Sequence, residues 1–169
     1  QPVVYDTSIS FTINRTAKQK TTDYQYDGYY AIQASNLFAQ TIMSWLMTPS
    51  FLLEIYQQAE VEPNIDYLDK FANRFQTKKF SPQNVAVRFK ERDEETAKKI
   101  SQALISTIEA KAKDSNKTSE GDSLFAVIGS QPVIVPYKMD IKLVAAVSLI
   151  VGLLLSCFLA YLVWYFKRD

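Results

Sequence analysis

From Val3 to Ile13 apolar and polar positions alternate. Val3, Tyr5, Thr7, Ile9, Phe11 and Ile13 fall on one side, with Val4, Asp6, Ser8, Ser10 and Thr12 on the other. A period of two predicts a strand with one buried face. The period then lengthens to three or four through Ala34, Leu37, Phe38, Thr41, Ile42 and Trp45, which predicts a helix packed on the sheet. Thr48-Pro49 places a capping hydroxyl before a first-turn proline and predicts a shorter helix from Pro49 to about Ala59. Asn64 is placed to cap a third helix, carrying Ile65, Leu68, Phe71, Ala72 and Phe75.

Lys78 to Phe80 reads as a short strand, and Ser81-Pro82-Gln83 as the turn into a clearer one, where Val85, Val87 and Phe89 alternate with Ala86, Arg88 and Lys90. Asp93 caps the next helix. Glu94 and Glu95 sit in its first turn, and Ala97, Ile100, Leu104, Ile108 and Lys111 trace its inner stripe. Lys113 to Ser123 has no apolar period and reads as a loop. From Leu124 to Val135 strand character returns, with Gly129 as a bulge and with Pro132 and Pro136 demoting the segment to an edge or broken strand. The order is βαββαβ, an α+β fold with a single mixed or antiparallel sheet of about four strands and helices on one face, ferredoxin-like in topology. In such a sheet the first and last strands are antiparallel neighbours, so the chain enters and leaves the domain at one edge.

The last stretch breaks this pattern. Leu143 to Phe166 contains no charged residue, and Lys138, Asp140 and Lys142 on one side and Lys167, Arg168 and Asp169 on the other frame it, with Trp164 and Tyr165 at its end. That length covers a ~30 Å hydrocarbon layer, and aromatic and basic anchors belong at membrane interfaces. A buried core helix of this size would carry a polar stripe. The division expected is therefore a domain over 1–137 followed by a transmembrane helix over 138–169, core 143–166, with a short tail. Ser148, Gly152, Ser156 and Ala160 recur every four residues, which suggests helix–helix contact, although small residues are common in membrane helices in any case.

Composition narrows the chemistry. Four of the 19 basic and two of the 18 acidic residues lie near or beyond the last helix, leaving 15 against 16 elsewhere, which is no electrostatic footprint for nucleic acid. Histidine is absent and the one cysteine, Cys157, falls inside the apolar stretch, so an intrachain disulfide, a Cys/His zinc site, a Cys–His pair and a Ser-His-Asp triad are all excluded. No catalytic, cofactor or metal residue is assigned; helix capping accounts for Asp93, Glu94 and Glu95. Tyr24, Tyr26, Tyr29 and Tyr30, around Asp27-Gly28 just ahead of the first helix, offer flat apolar faces with polar tips, suited to a subunit interface, to the core or to stacking on sugar rings. Asn14-Arg-Thr16 and Asn116-Lys-Thr118 match the glycosylation pattern, which arises readily by chance.

Taken together, Val4 to Ile13, Asn84-Val-Ala-Val-Arg-Phe89 followed by Asp93 to Ala103, and Pro132-Val-Ile-Val-Pro136 leading to a helix containing Gly152 resemble the Wzz family of polysaccharide co-polymerases, the bacterial chain-length determinants. The Tyr24 to Tyr30 run and Trp45-Leu-Met-Thr-Pro49 look like a short form of that family. The resemblance implies a non-enzymatic scaffold for surface polysaccharide (O-antigen or capsule) biosynthesis in the bacterial cytoplasmic (inner) membrane. It implies a domain facing outside, a cytoplasmic C-terminus after Lys167 and Arg168, a further membrane helix ahead of Gln1, and ring-like homo-oligomers working with a polymerase and glycan. Two departures matter: Lys113 to Ser123 leaves no room for the extended helical arm of longer members, and no phosphate-binding loop of the tyrosine-kinase relatives is present. The alternative is a membrane-anchored structural subunit of another envelope assembly, a pilus or secretion machine.

Overall fold

The computed structural model describes residues 3–16, 24–117, 123–137 and 141–167. The chain divides into two compact units, Gln1–Tyr137 and Lys138–Asp169.

In the first unit β1 (Val4–Arg15) is the centre of a single antiparallel sheet with β2 (Gln76–Ser81), β3 (Asn84–Glu91), β4 (Phe125–Gly129) and β5 (Val133–Tyr137). The order β2-β3-β1-β4 is that of the βαββαβ unit. Five strands replace the expected four because the last one is broken. β4 pairs with the second half of β1 (Phe11↔Gly129, Arg15↔Phe125), and β5 pairs with the first half (Val4↔Tyr137, Ser8↔Val133), on the side away from β3.

Between the two pieces Ser130, Gln131 and Pro132 face only Ile9 and Ser10, one residue too many, so the register slips as in a bulge. Ser130 makes the join. Its amide donates to the Ser10 carbonyl at 2.7 Å, and its hydroxyl accepts from the Ser10 amide at 3.0 Å. The bulge lies just after Gly129, which itself answers a packing demand: a Cβ there would stand 2.8 Å from Ile105 Cγ2.

The alternation in β1 and β3 sorts residues as their period demands. Thr7, Ile9, Phe11 and Ile13, with Val85, Val87 and Phe89, are buried on one face. That face is covered by α1 (Tyr24–Trp45), α2 (Pro49–Gln58) and α4 (Glu94–Ser115), through Ala39 and Ile42 with Leu46 just beyond α1, then Phe51, Leu52 and Ile55, then Ile100, Leu104 and Ile108. At about 1.5–3 kcal/mol for each fully buried large aliphatic or aromatic side chain, this layer is the main source of stability. On the opposite face, among the described residues of this unit, no helix packs and only Ala86 is buried.

Local chemistry departs from the sequence reading at several points. Asp93 caps α4 as expected, its Oδ2 accepting from the Thr96 amide at 2.8 Å. Thr48 has the backbone of a cap residue, but its hydroxyl donates back to the Ser44 carbonyl at 3.0 Å, so Pro49 alone marks the start of α2. The third helix, α3, is only Leu68–Ala72; it starts after Tyr67, and Asn64 does not cap it. Ile65 and Leu68 are exposed, and Phe75 reaches the core from the approach to β2. The first helix begins at Tyr24, so Asp27-Gly28 lies within α1 rather than ahead of it.

α4 continues through Lys113 to Ser115, three residues into the expected loop. Lys111 of its inner stripe is half-buried, with Nζ 4.9 Å from the Phe51 ring centre and 5.6 Å from that of Trp45. Asn116, at the end of α4, is buried, donating to the Phe125 carbonyl and accepting from the Phe125 amide, both at 3.0 Å. A side chain so engaged cannot carry a glycan, which removes the Asn116 half of the glycosylation pattern.

The second unit is the helix α5 (Ile141–Phe166). Among the described residues no helix is long and apolar enough to cross a membrane. α5 as a whole counts 26 residues, and every one of its described side chains is exposed.

Candidate functional site

The end of the sheet where β1 begins and β5 finishes carries two neighbouring hollows. The first, about 400 Å³, is lined by Val4, Tyr56, Val61, Glu62, Asn64, Arg74, Lys90, Glu91, Arg92, Asp93 and Thr96. Its centre is Tyr56, which α2 holds with its ring buried between Phe71 and Phe75 and its hydroxyl turned into the hollow. That hydroxyl donates to Glu91 Oε1 at 3.2 Å and accepts from Arg74 Nη1 at 3.0 Å, while Arg74 Nη2 donates to the Asn64 carbonyl at 3.1 Å. Burial, followed by the neighbouring Glu91 charge, pushes the Tyr56 hydroxyl up to about 12, so it stays a neutral hydrogen-bond relay at ordinary pH.

Three carboxylates, Glu62, Glu91 and Asp93, line this hollow and invite comparison with an acid–base pair. Asp93 is committed to its cap. The Thr96 amide and hydroxyl hold its carboxyl below the usual carboxylate range, opposite to what a general acid needs. Glu91 receives the Tyr56 hydroxyl. Among the described residues no three His, Cys, Asp or Glu groups are placed to hold a metal ion.

The second hollow, about 310 Å³, lies on the uncovered face and shares Arg74 and Lys90 with the first; Asp6, Gln76, Arg88 and Phe89 complete it. Strand register assembles it. Gln76 stands opposite Arg88 across β2 and β3, and Asp6 opposite Lys90 across β1 and β3. Lys90 Nζ lies 4.4 Å from the Tyr137 ring centre, a close cation–π approach at the end of β5.

The sequence-predicted contact residues lie elsewhere. Tyr29 and Tyr30 stand on the outer side of α1, 60% and 62% exposed, ring edge to ring face at 5.8 Å, and the Tyr29 hydroxyl accepts from Gln33 Nε2 at 3.3 Å. Core packing is thus ruled out for these two. Ile32 and Leu37 extend the exposed apolar surface of α1. The backbone of Tyr24 and Tyr26 is in α1, and their side chains lie outside the described residues.

Ser148, Gly152, Ser156 and Ala160 are all exposed on α5, with open space at the Gly152 Cα and the Ser156 hydroxyl donating to the Gly152 carbonyl at 2.8 Å. Arg74, Tyr56 and Glu91 were not singled out from the sequence. They come from a loop, a helix and a strand far apart in the chain, and no spacing links them. No family model and no curated protein matches the chain.

Proposed function

We propose that the chain is a non-enzymatic membrane scaffold of the Wzz type, a polysaccharide co-polymerase taking part in bacterial surface polysaccharide assembly or chain-length control. The observation that carries this reading is the antiparallel pairing of the domain's two ends, Val4 beside Tyr137. A domain held between two membrane helices needs its first and last strands to emerge together, and this sheet meets that need. Support for the membrane helix comes from the charge-free run Leu143 to Phe166, helical over Ile141–Phe166, whose described large apolar side chains are 49–69% exposed. Leucine, valine and phenylalanine exposed in such number find their counterpart in lipid.

Copies of the chain would meet through side chains rather than by strand addition. Lys78 and Lys79 on β2 and Pro132 and Pro136 in and beside β5 guard the sheet's two outer edges against further pairing. Exposed Tyr29, Tyr30, Ile32 and Leu37 on α1, with the small-residue stripe of α5, supply contact surface for neighbouring copies, the polymerase or glycan.

Deletion of the gene in its host tests the reading: a changed amount or length distribution of surface polysaccharide is expected, and an unchanged one refutes it. Co-purification separates the rival structural role, since polymerase or glycan-export proteins accompany a co-polymerase, whereas pilins or secretins accompany a subunit of those machines.

A further inference from the structure

We propose that the uncovered sheet face holds a phosphate group, either free phosphate or the headgroup of an anionic lipid, in the hollow formed by Arg74, Arg88, Lys90 and Gln76. Three cations meet there against one carboxylate, Asp6, whereas the adjoining hollow balances Arg74, Lys90 and Arg92 with Glu62, Glu91 and Asp93. The excess of positive charge is therefore confined to the open face.

The placement of these groups is built by the fold. Arg88 and Lys90 are two apart on β3 and so project from the same face, and Gln76 sits directly across from Arg88. Arg74 comes from the turn before β2 and is fixed on its far side. One terminal nitrogen is spent on the Tyr56 hydroxyl and the other on the Asn64 carbonyl, and the guanidinium lies 5.4 Å and 5.7 Å from the Tyr56 and Phe71 ring centres. Two of its five N–H donors are used in this way. Arg74, Arg88 and Lys90 form no ion pair among the described residues, and Asp6, although opposite Lys90, is not within bridging distance.

A guanidinium whose orientation is already fixed loses little freedom when it binds an oxyanion. Two guanidinium groups and an ammonium, with a carboxamide donor beside them, suit the several oxygens of a phosphate better than the two of a carboxylate, which a single arginine fork satisfies. The bland alternative is a solvated basic face that keeps the sheet from aggregating. Such a face would bind anions weakly and without saturation. The site does not rest on the scaffold reading; only its lipid form depends on α5 lying in a bilayer.

The test uses the full chain in a non-ionic detergent at low salt, titrated by calorimetry with inorganic phosphate, short-chain phosphatidylglycerol and short-chain phosphatidylcholine. One saturable site per chain is expected, with phosphatidylglycerol and phosphate competing and phosphatidylcholine much weaker. Arg88→Gln and Lys90→Gln, both at exposed positions, are each expected to weaken binding about tenfold, the loss of one charge-assisted contact. Arg92→Gln, in the balanced hollow and not lining the proposed site, is expected to change it less than about twofold, the effect of a solvent-screened charge that makes no contact with the anion. Arg74→Lys keeps the charge but gives up the fork, and is expected to weaken binding as Arg88→Gln does.

Saturable binding of phosphate without phosphatidylglycerol supports the site and assigns free phosphate. The proposal is overturned if neither probe saturates, if phosphatidylcholine binds equally well, or if Arg88→Gln and Lys90→Gln bind like the parent chain. Circular dichroism of each variant verifies that its fold is unchanged.

Discussion

Replacing Asn116 by alanine tests how α4 is joined to β4. The amide of Asn116 acts as a short extra strand for Phe125, donating to its carbonyl and accepting from its N–H, while a second donation reaches the Ala112 carbonyl. Asn116 is only 7% exposed and Phe125 9%, so water does not readily replace what is lost. Two main-chain groups left unpaired at about 1–3 kcal/mol each, partly relieved by local opening, give an expected loss of about 2–4 kcal/mol. For a domain of this size that lowers the unfolding midpoint by roughly 10 °C.

Asn116→Asp sharpens the test because it keeps the acceptor for the Phe125 amide but sets a carboxylate oxygen against two carbonyl oxygens. The folded state then raises the pKa of the new carboxyl. Stability is fully present below the carboxyl's unfolded pKa, where the protonated group donates again, and is lost as pH rises through the folded value. Urea and thermal unfolding of the full chain in detergent, followed by near-ultraviolet circular dichroism, supply the measurement. A loss below about 1 kcal/mol for Asn116→Ala, within the range of an ordinary surface change, would falsify the argument.

The other expectations follow the same packing and electrostatics. Tyr56 is held neutral in the fold up to about 12 against an ordinary 10.0, so its contribution is complete below pH 10.0, drains away as pH rises through about 12, and amounts to about 3 kcal/mol at most. Tyr56→Phe should lose that alkaline slope in unfolding measured across pH 9.5–12; an unchanged slope would mean that another group produces it. Gly129→Ala, which at an open strand position would gain stability, should instead cost about 1–2 kcal/mol because Ile105 Cγ2 is in the way, and Ile105→Ala in the same chain should remove most of that penalty in a double-mutant cycle. Gly152→Leu should weaken self-association of the full chain in detergent, read by sedimentation, while leaving the circular dichroism of the α+β domain unaltered; undiminished association would place the contact on another surface.

The readable parts of this fold are those where one physical demand dominates. β1 and β3 bury one face each, so their alternation survives in the sequence, and the Asp93 cap is local chemistry between residues three apart. α3 was misread because apolar residues at 65, 68, 71, 72 and 75 fit a helical period, yet only Phe71 and Phe75 are deeply buried, and they reach the core from a short helix and from the approach to β2. The split of the last strand was half legible. Its prolines announce an interruption, but which residue repairs it depends on a hydroxyl of Ser130 meeting Ser10, 120 positions away.

The same separation explains what was visible at the sheet's open face. Arg88 and Lys90 declare themselves as the outward side of β3, since a period of two that buries Val87 and Phe89 must expose their neighbours. Arg74 has no such periodic signature: Tyr56, 18 residues earlier, and the Asn64 carbonyl orient it, and both contacts exist only after α2 and the turn before β2 have packed together. A hollow made from one legible strand and one illegible turn follows from how antiparallel sheets are built: alternation within strands fixes which face a side chain takes, while the chain between strands decides what meets it there.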